Sequence, residues 1–271
     1  MAVSRPQTLK PLKPPESGFY GYVYRFCCRN ANNHGDNERF TVHKTSETGP
    51  AIILVNGMRH RQAEIELNLA MAKLAMHQVD STVISINNIT NGFFKDIFRS
   101  TVLYLGGTSD ASRSLCNVLQ TKLNQNEPVL IHCHSEGALV VKAALYQLAR
   151  QNRGAKFREL YPKLKIFSYG GASLFDEKFA PYVKNHISIL DPIPLILRPF
   201  AIFKYIWAAI LLKKRKVEKN PERTVTIGNV QFHPCLSQNP FKEHSFRGST
   251  YTDPFFHELY NSNLKNWKFA K

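Results

Sequence analysis

Cysteine and acidic side chains are both scarce in this chain of 271 residues. There are five cysteines, Cys27, Cys28, Cys116, Cys133 and Cys235, and no spacing among them suits a zinc site or a disulfide framework. A stapled mini-protein is excluded, no metal or cofactor is expected, and a reducing compartment is the default. Asp and Glu number 20 against 36 Lys and Arg, for a net charge of +16. Such an excess favours anionic partners: membrane surfaces, nucleic acids or acidic proteins. No RNP-like or zinc-finger signature is present, which disfavours nucleic acid. The stretch 1–18 is polar, with Pro6, Pro11, Pro14 and Pro15, and lacks the apolar core of a secretory signal. A flexible arm is expected there, then one domain over 19–271, in a cytoplasmic or peripheral membrane protein. Secretion without a cleaved signal stays open.

What is present is a series of short apolar runs alternating with helical patterns. Phe19 to Phe26, Arg39 to Lys44, Ala51 to Val55, Thr82 to Ile86, Val129 to Cys133, Lys165 to Tyr169 and Ile187 to Leu190 read as strands. Gln62 to Met76, Ser109 to Leu123, Glu136 to Arg150 and a short Glu177 to Lys184 read as helices, and a terminal helix is expected around His257. The alternation predicts an α/β fold with a mostly parallel sheet, whose active site lies beyond the carboxyl ends of the strands.

The most informative stretch is Val129-Leu130-Ile131-His132-Cys133-His134-Ser135-Glu136-Gly137 and the apolar helix after it. A strand, a tight turn bearing a serine, and a helix form the setting of a nucleophile elbow. Ser135 would be lifted out at the sheet's edge, with the Glu136 N–H aimed at a developing oxyanion. The alternative is a capping serine on a buried helix. Gly57 and Met58, after the strand Ala51 to Val55, are the candidates for the second oxyanion donor. Cys133 stands where the usual pattern has glycine, so its side chain must fit where a backbone usually passes.

A serine hydroxyl needs a base, and the base a carboxylate, and in α/β-hydrolases the chain order is Ser, acid, His. Asp191 ends an apolar strand and precedes Pro192-Ile193-Pro194, which suits the acid; Asp176, Asp110 and Glu136 are weaker rivals. His244, in the polar stretch Lys242 to Phe246, is the expected base, with His233 and His257 as alternatives.

Lys165 to Gly171, Phe179 to Asn185 and Asp191-Pro192-Ile193-Pro194 together resemble the later half of lipase-like α/β-hydrolases. The Val-Asn-Gly-Met strand end, Asn88 to Gly92, the elbow, and the His-Ser-Phe and Thr-Tyr segments near the end are similar to an uncharacterised chlamydial protein family. The resemblance covers about 51–251. It implies an α/β-hydrolase-like sheet flanked by helices and a serine esterase or lipase acting on a lipid or small acyl ester.

Leu195 to Leu212 is apolar save for Arg198, Pro199 and Lys204, and sits in a segment, 193–218, that reads as a lid or membrane-facing insertion. Its 18 residues would span about 27 Å as a helix, against about 30 Å for a bilayer core. A single crossing would also part Asp191 from His244. An interfacial helix is therefore expected, with Phe203 and Trp207 in lipid and Lys213, Lys214, Arg215 and Lys216 on anionic headgroups. An anionic membrane surface is the candidate second partner. The alternative function is a catalytically inactive hydrolase fold that binds membrane or a partner through its basic charge. Oligomeric state is not legible.

Overall fold

The computed structural model describes residues 40–44, 49–57, 81–88, 93–152, 161–189, 191–193, 210, 224–233 and 249–261. All of these belong to one compact unit, Glu38–Lys271. The expected strand over 19–26, the helix over 62–76 and nearly all of the apolar/basic insertion lie outside the described residues, as do Met58 and His244.

Eight strands form one sheet. They are β1 (Phe40–Lys44), β2 (Ala51–Val55), β3 (Thr82–Ile86), β4 (Val129–His134), β5 (Leu164–Tyr169), β6 (Tyr182–Ser188), β7 (Val225–Ile227) and β8 (Val230–His233). The order across the sheet is β1-β3-β2-β4-β5-β6-β8-β7. Both edge pairs, β1 with β3 and β7 with β8, are antiparallel, and every pairing between is parallel. Among the described residues four α-helices accompany them: α1 (Phe93–Tyr104), α2 (Asp110–Asn124), α3 (Gly137–Gln151) and α4 (Ser249–Asn261). The expected α/β class is therefore what the chain forms.

The two faces of the sheet differ in chemistry because side chains alternate along each strand. Val129, Ile131 and Cys133 of β4 join Leu164 and Ile166 of β5 in an aliphatic core with α2 and α3. Helix α2 starts cleanly because Ser109 caps it: the Ser109 side chain accepts from Ser112 N–H, and Ser112 Oγ reciprocates. The other face carries rings. His132 stacks on Phe167 at 4.8 Å, Tyr169 stacks on His186 at 5.0 Å, and His186 stacks on His233 at 5.2 Å. Phe255 of α4 meets His132 and Tyr169 edge-on.

Two elements depart from the sequence expectation. Residues 177–179 form a turn instead of a helix, and the strand placed at 187–190 runs Tyr182–Ser188. The polar Lys184-Asn185-His186 disguises it. Asn185 is buried because its amide accepts from Phe175 N–H at 3.0 Å and donates to Phe175 C=O at 3.0 Å, tying the preceding loop to the strand. Helix α1 and the β7–β8 hairpin complete the fold without having been anticipated.

Candidate active site

The elbow is built by three neighbours of β4. Ser135 follows the strand's last residue and has φ = +54°, one of two non-glycine residues with positive φ among the described residues. That conformation is costly for a residue with a side chain and persists where the surroundings impose it. They do: Ser135 N–H donates to Tyr169 C=O at 3.2 Å, and Ser135 C=O accepts from Ala138 and Ala172 N–H at 3.1 and 3.0 Å. The turn is thus clamped by the end of β5, by the loop after it and by α3 itself. Gly137 lets α3 start against the neighbouring strand; a Cβ there would stand 2.6 Å from Val55 C=O.

Gly57 touches the serine. A Cβ on Gly57 would lie 2.7 Å from Ser135 Cβ and 3.2 Å from His134 C=O, so only glycine permits this approach. The loop after β2 and the Ser135 turn therefore face each other. The Glu136 N–H, at the N-cap of α3, meets no acceptor among the described residues. Met58 lies outside them.

The Glu136 side chain does something the sequence did not announce. It is 1% exposed, and each carboxylate oxygen accepts two hydrogen bonds. Oε1 takes Arg99 Nε at 3.1 Å and Ser100 Oγ at 2.8 Å; Oε2 takes Arg99 Nη2 at 2.9 Å and Asn88 Nδ2 at 2.8 Å. Arg99 also lies 3.3 Å from Asp96, itself fully buried. Asn88 N–H in turn donates to Asn56 Oδ1 at 2.8 Å. One network thus joins the residue before Gly57, the end of β3, the inner face of α1 and the residue after the serine. It also sets the Arg99 guanidinium against the one carboxylate next to the elbow.

Asp191 is fully buried at the end of β6, on the same rim as Ser135. Its Oδ1 accepts from Ile193 N–H at 3.0 Å, and its Oδ2 accepts from the Tyr251 hydroxyl of α4. That hydroxyl also accepts from Ser188 N–H at 3.1 Å. The Tyr251 ring is 6.0 Å from the ring of His134, and a Cβ on Gly170 would come within 2.6 Å of Asp191 Oδ2. The serine turn and the acid are therefore separated by little more than the Tyr169-Gly170 step and the Tyr251 ring.

The rival residues are placed elsewhere or otherwise engaged. His257 is exposed on α4. His233 ends β8 with Nε2 2.9 Å from His186 Nδ1. Burial, and then Lys184, push its pKa down to about 4. Asp176 pairs with Lys178 on the surface and Asp110 with Arg113. Cys133 fits the elbow strand without displacing a neighbour: its Sγ points to Phe167 C=O at 3.6 Å, and burial pushes its thiol up to about 12. Burial likewise pushes His132 down to about 3.

Sequence reasoning missed Asn88, Arg99, Ser100 and Tyr251 as parts of this assembly. The Thr-Tyr pair near the chain's end was the one signal available for Tyr251. No family model matches the chain, and no curated protein is recognisably similar to it.

Proposed function

We propose that the chain is a serine ester hydrolase of the α/β-hydrolase type, acting on a lipid or small acyl ester at a membrane surface. The observation that carries this is the Ser135 backbone, held at positive φ beyond a central parallel strand with Gly57 against it. A capping serine needs no such conformation, since N-caps sit in the extended region. Supporting it are the chain order Ser135, Asp191, His244 and the shared rim of serine and acid.

In this reading Ser135 Oγ attacks the ester carbonyl carbon while His244 takes the hydroxyl proton, and Asp191 orients the imidazole. The carbonyl oxygen becomes an oxyanion facing the Glu136 N–H and the N–H groups of Gly57 and Met58. Collapse breaks the C–O bond, and the leaving alkoxide takes the proton from His244. Water, deprotonated by His244, then attacks the acyl carbon; the bond to Ser135 Oγ breaks, the oxygen takes the proton back from His244, and the acid is released. The basic cluster Lys213 to Lys216, with Phe203 and Trp207, would hold the enzyme at anionic lipid.

A fluorophosphonate probe tests the assignment. The expected result is one covalent adduct on the full chain, lost in Ser135→Ala with the circular dichroism spectrum unchanged, and strongly reduced in His244→Ala. Undiminished labelling of Ser135→Ala overturns the nucleophile. A folded wild-type chain that takes no probe points instead to an inactive fold serving as a basic membrane- or partner-binding module.

A further inference from the structure

Helix α1 is built inside out. Of the side chains described on it, Asp96, Arg99 and Ser100 face inward, bonded to one another or to Glu136, and Leu103 reaches the core beside them. Four large apolar side chains point outward: Ile97 is 44% exposed, Phe98 41%, Tyr104 48%, and Leu105 in the following turn 58%. On a helical period, positions 97, 98, 101, 104 and 105 form one continuous stripe opposite 96, 99, 100 and 103. The stripe's one polar member, Thr101, turns its hydroxyl onto Ile97 C=O at 3.0 Å. Half of the large exposed apolar side chains among the described residues lie on this helix and its turn. A solvated helix places these residue types the other way round, so the stripe marks a contact surface.

We infer that the outer face of α1 is a docking surface for an anionic lipid membrane. Charge selects this occupant. The stripe carries no acidic side chain, because Asp96 is turned inward. Exposed Lys95 stands at one border, and Lys142 of α3 stands at the other, its Nζ 6.0 Å from the Tyr104 ring centroid. An apolar stripe bordered by lysines is the composition of an interfacial helix. A second copy of the chain is opposed by the +16 net charge that both would bring. The inner face of the same helix holds Glu136, the neighbour of Ser135, so docking here would bring the elbow to the lipid surface. The surface follows from α1 alone; its role in delivering substrate rests on the hydrolase reading.

Flotation of the full chain with vesicles of phosphatidylcholine, alone or mixed with phosphatidylglycerol, tests the inference. The wild type should partition onto both, more strongly onto the anionic vesicles, and salt should weaken only the anionic preference. Ile97→Ser/Leu105→Ser should lower partitioning about tenfold on both compositions, from the apolar area lost. Phe98→Ser, about two turns before Leu105 on the Lys95 side of the stripe, is the second variant and should lower it as well. Neither touches the proposed catalytic groups, so fluorophosphonate labelling without vesicles should be unchanged. Unaltered partitioning of both variants overturns the inference, as does a wild-type dimer in sedimentation velocity that these substitutions dissolve. Absence of labelling with lipid binding lost in the variants would sink the hydrolase reading and leave the docking surface standing.

Discussion

Arg99→Met isolates the network behind the elbow. The substitution keeps an unbranched stem of similar length and removes two of the four hydrogen bonds on Glu136, at 3.1 and 2.9 Å, together with the 3.3 Å pairing to Asp96. Both carboxylates are buried, so the variant removes the counter-cation that Asp96 and Glu136 share in a largely desolvated site. Removing one partner of a buried ion pair costs about 3–5 kcal/mol, mainly as the penalty on the charge left behind. The Arg99 side chain keeps 17% of its surface exposed, so water can reach part of the gap, and the lower end, about 3 kcal/mol, is expected. For a domain of this size that is a fall in Tm of roughly 6–12 °C. Urea denaturation by far-ultraviolet circular dichroism measures it directly. Glu136→Gln in the same chain should restore at least half of the loss, because a neutral amide can stay bonded to Asn88 and Ser100. A loss under about 1 kcal/mol for Arg99→Met, or no recovery in the double variant, would refute the claim that this pair is desolvated and coupled.

Two further tests address the acid and the ring-lined face. Tyr251→Phe removes the hydroxyl that donates to Asp191 and accepts from Ser188 N–H, so stability should fall by about 2 kcal/mol. Probe labelling should slow as well, with esterase kcat reduced and KM little changed; a change in KM alone would make Tyr251 a substrate contact. His132, His186 and His233 all have pKa values lowered by burial, the first to about 3 and the last to about 4. They are neutral in the fold and protonate below about 6.5 when unfolded. Their contribution is therefore intact above about pH 6.5 and is lost as pH falls from there towards 4, by up to about 1.4 kcal/mol per unit for each ring. His132→Phe keeps the stack on Phe167 and gives up the 3.1 Å hydrogen bond between His132 Nδ1 and the Tyr169 hydroxyl, a loss that shifts all midpoints alike above about pH 6.5. Denaturation midpoints between pH 8 and 4.5 should fall less steeply in that variant; parallel curves would disprove the assignment.

What could be read from the sequence follows the range of the forces involved. β2 and β3 match the sequence expectation residue for residue because both are buried along their whole length: β2 is an unbroken apolar run, and β3 is interrupted only by the small hydroxyl side chains of Thr82 and Ser85. The strand–turn–helix around Ser135 was legible for the same local reason: strand, serine, glycine and helix are contiguous. β6 was shifted because its polar residues are satisfied only by distant partners. Lys184 bonds Glu258 across 74 positions, and Asn185 bonds Phe175. The support for the site is of that second kind. Arg99 reaches Glu136 over 37 positions and Tyr251 reaches Asp191 over 60, so neither stands out in its own neighbourhood. Helix α1 shows the limit most clearly. Its sequence is amphipathic, and local pattern alone would bury Ile97, Phe98, Tyr104 and Leu105 and expose Asp96, Arg99 and Ser100. The orientation is the reverse: Asp96, Arg99 and Ser100 turn inward towards buried Glu136, opposite these four apolar side chains. They are then left outward, where lipid could recover the burial that the fold itself forgoes. The network around Glu136 and the proposed membrane surface are two faces of one helix. Stability of the Arg99 variant and vesicle partitioning of the Ile97/Leu105 variant should then be separable perturbations of α1, the first acting through its inner face and the second through its outer one.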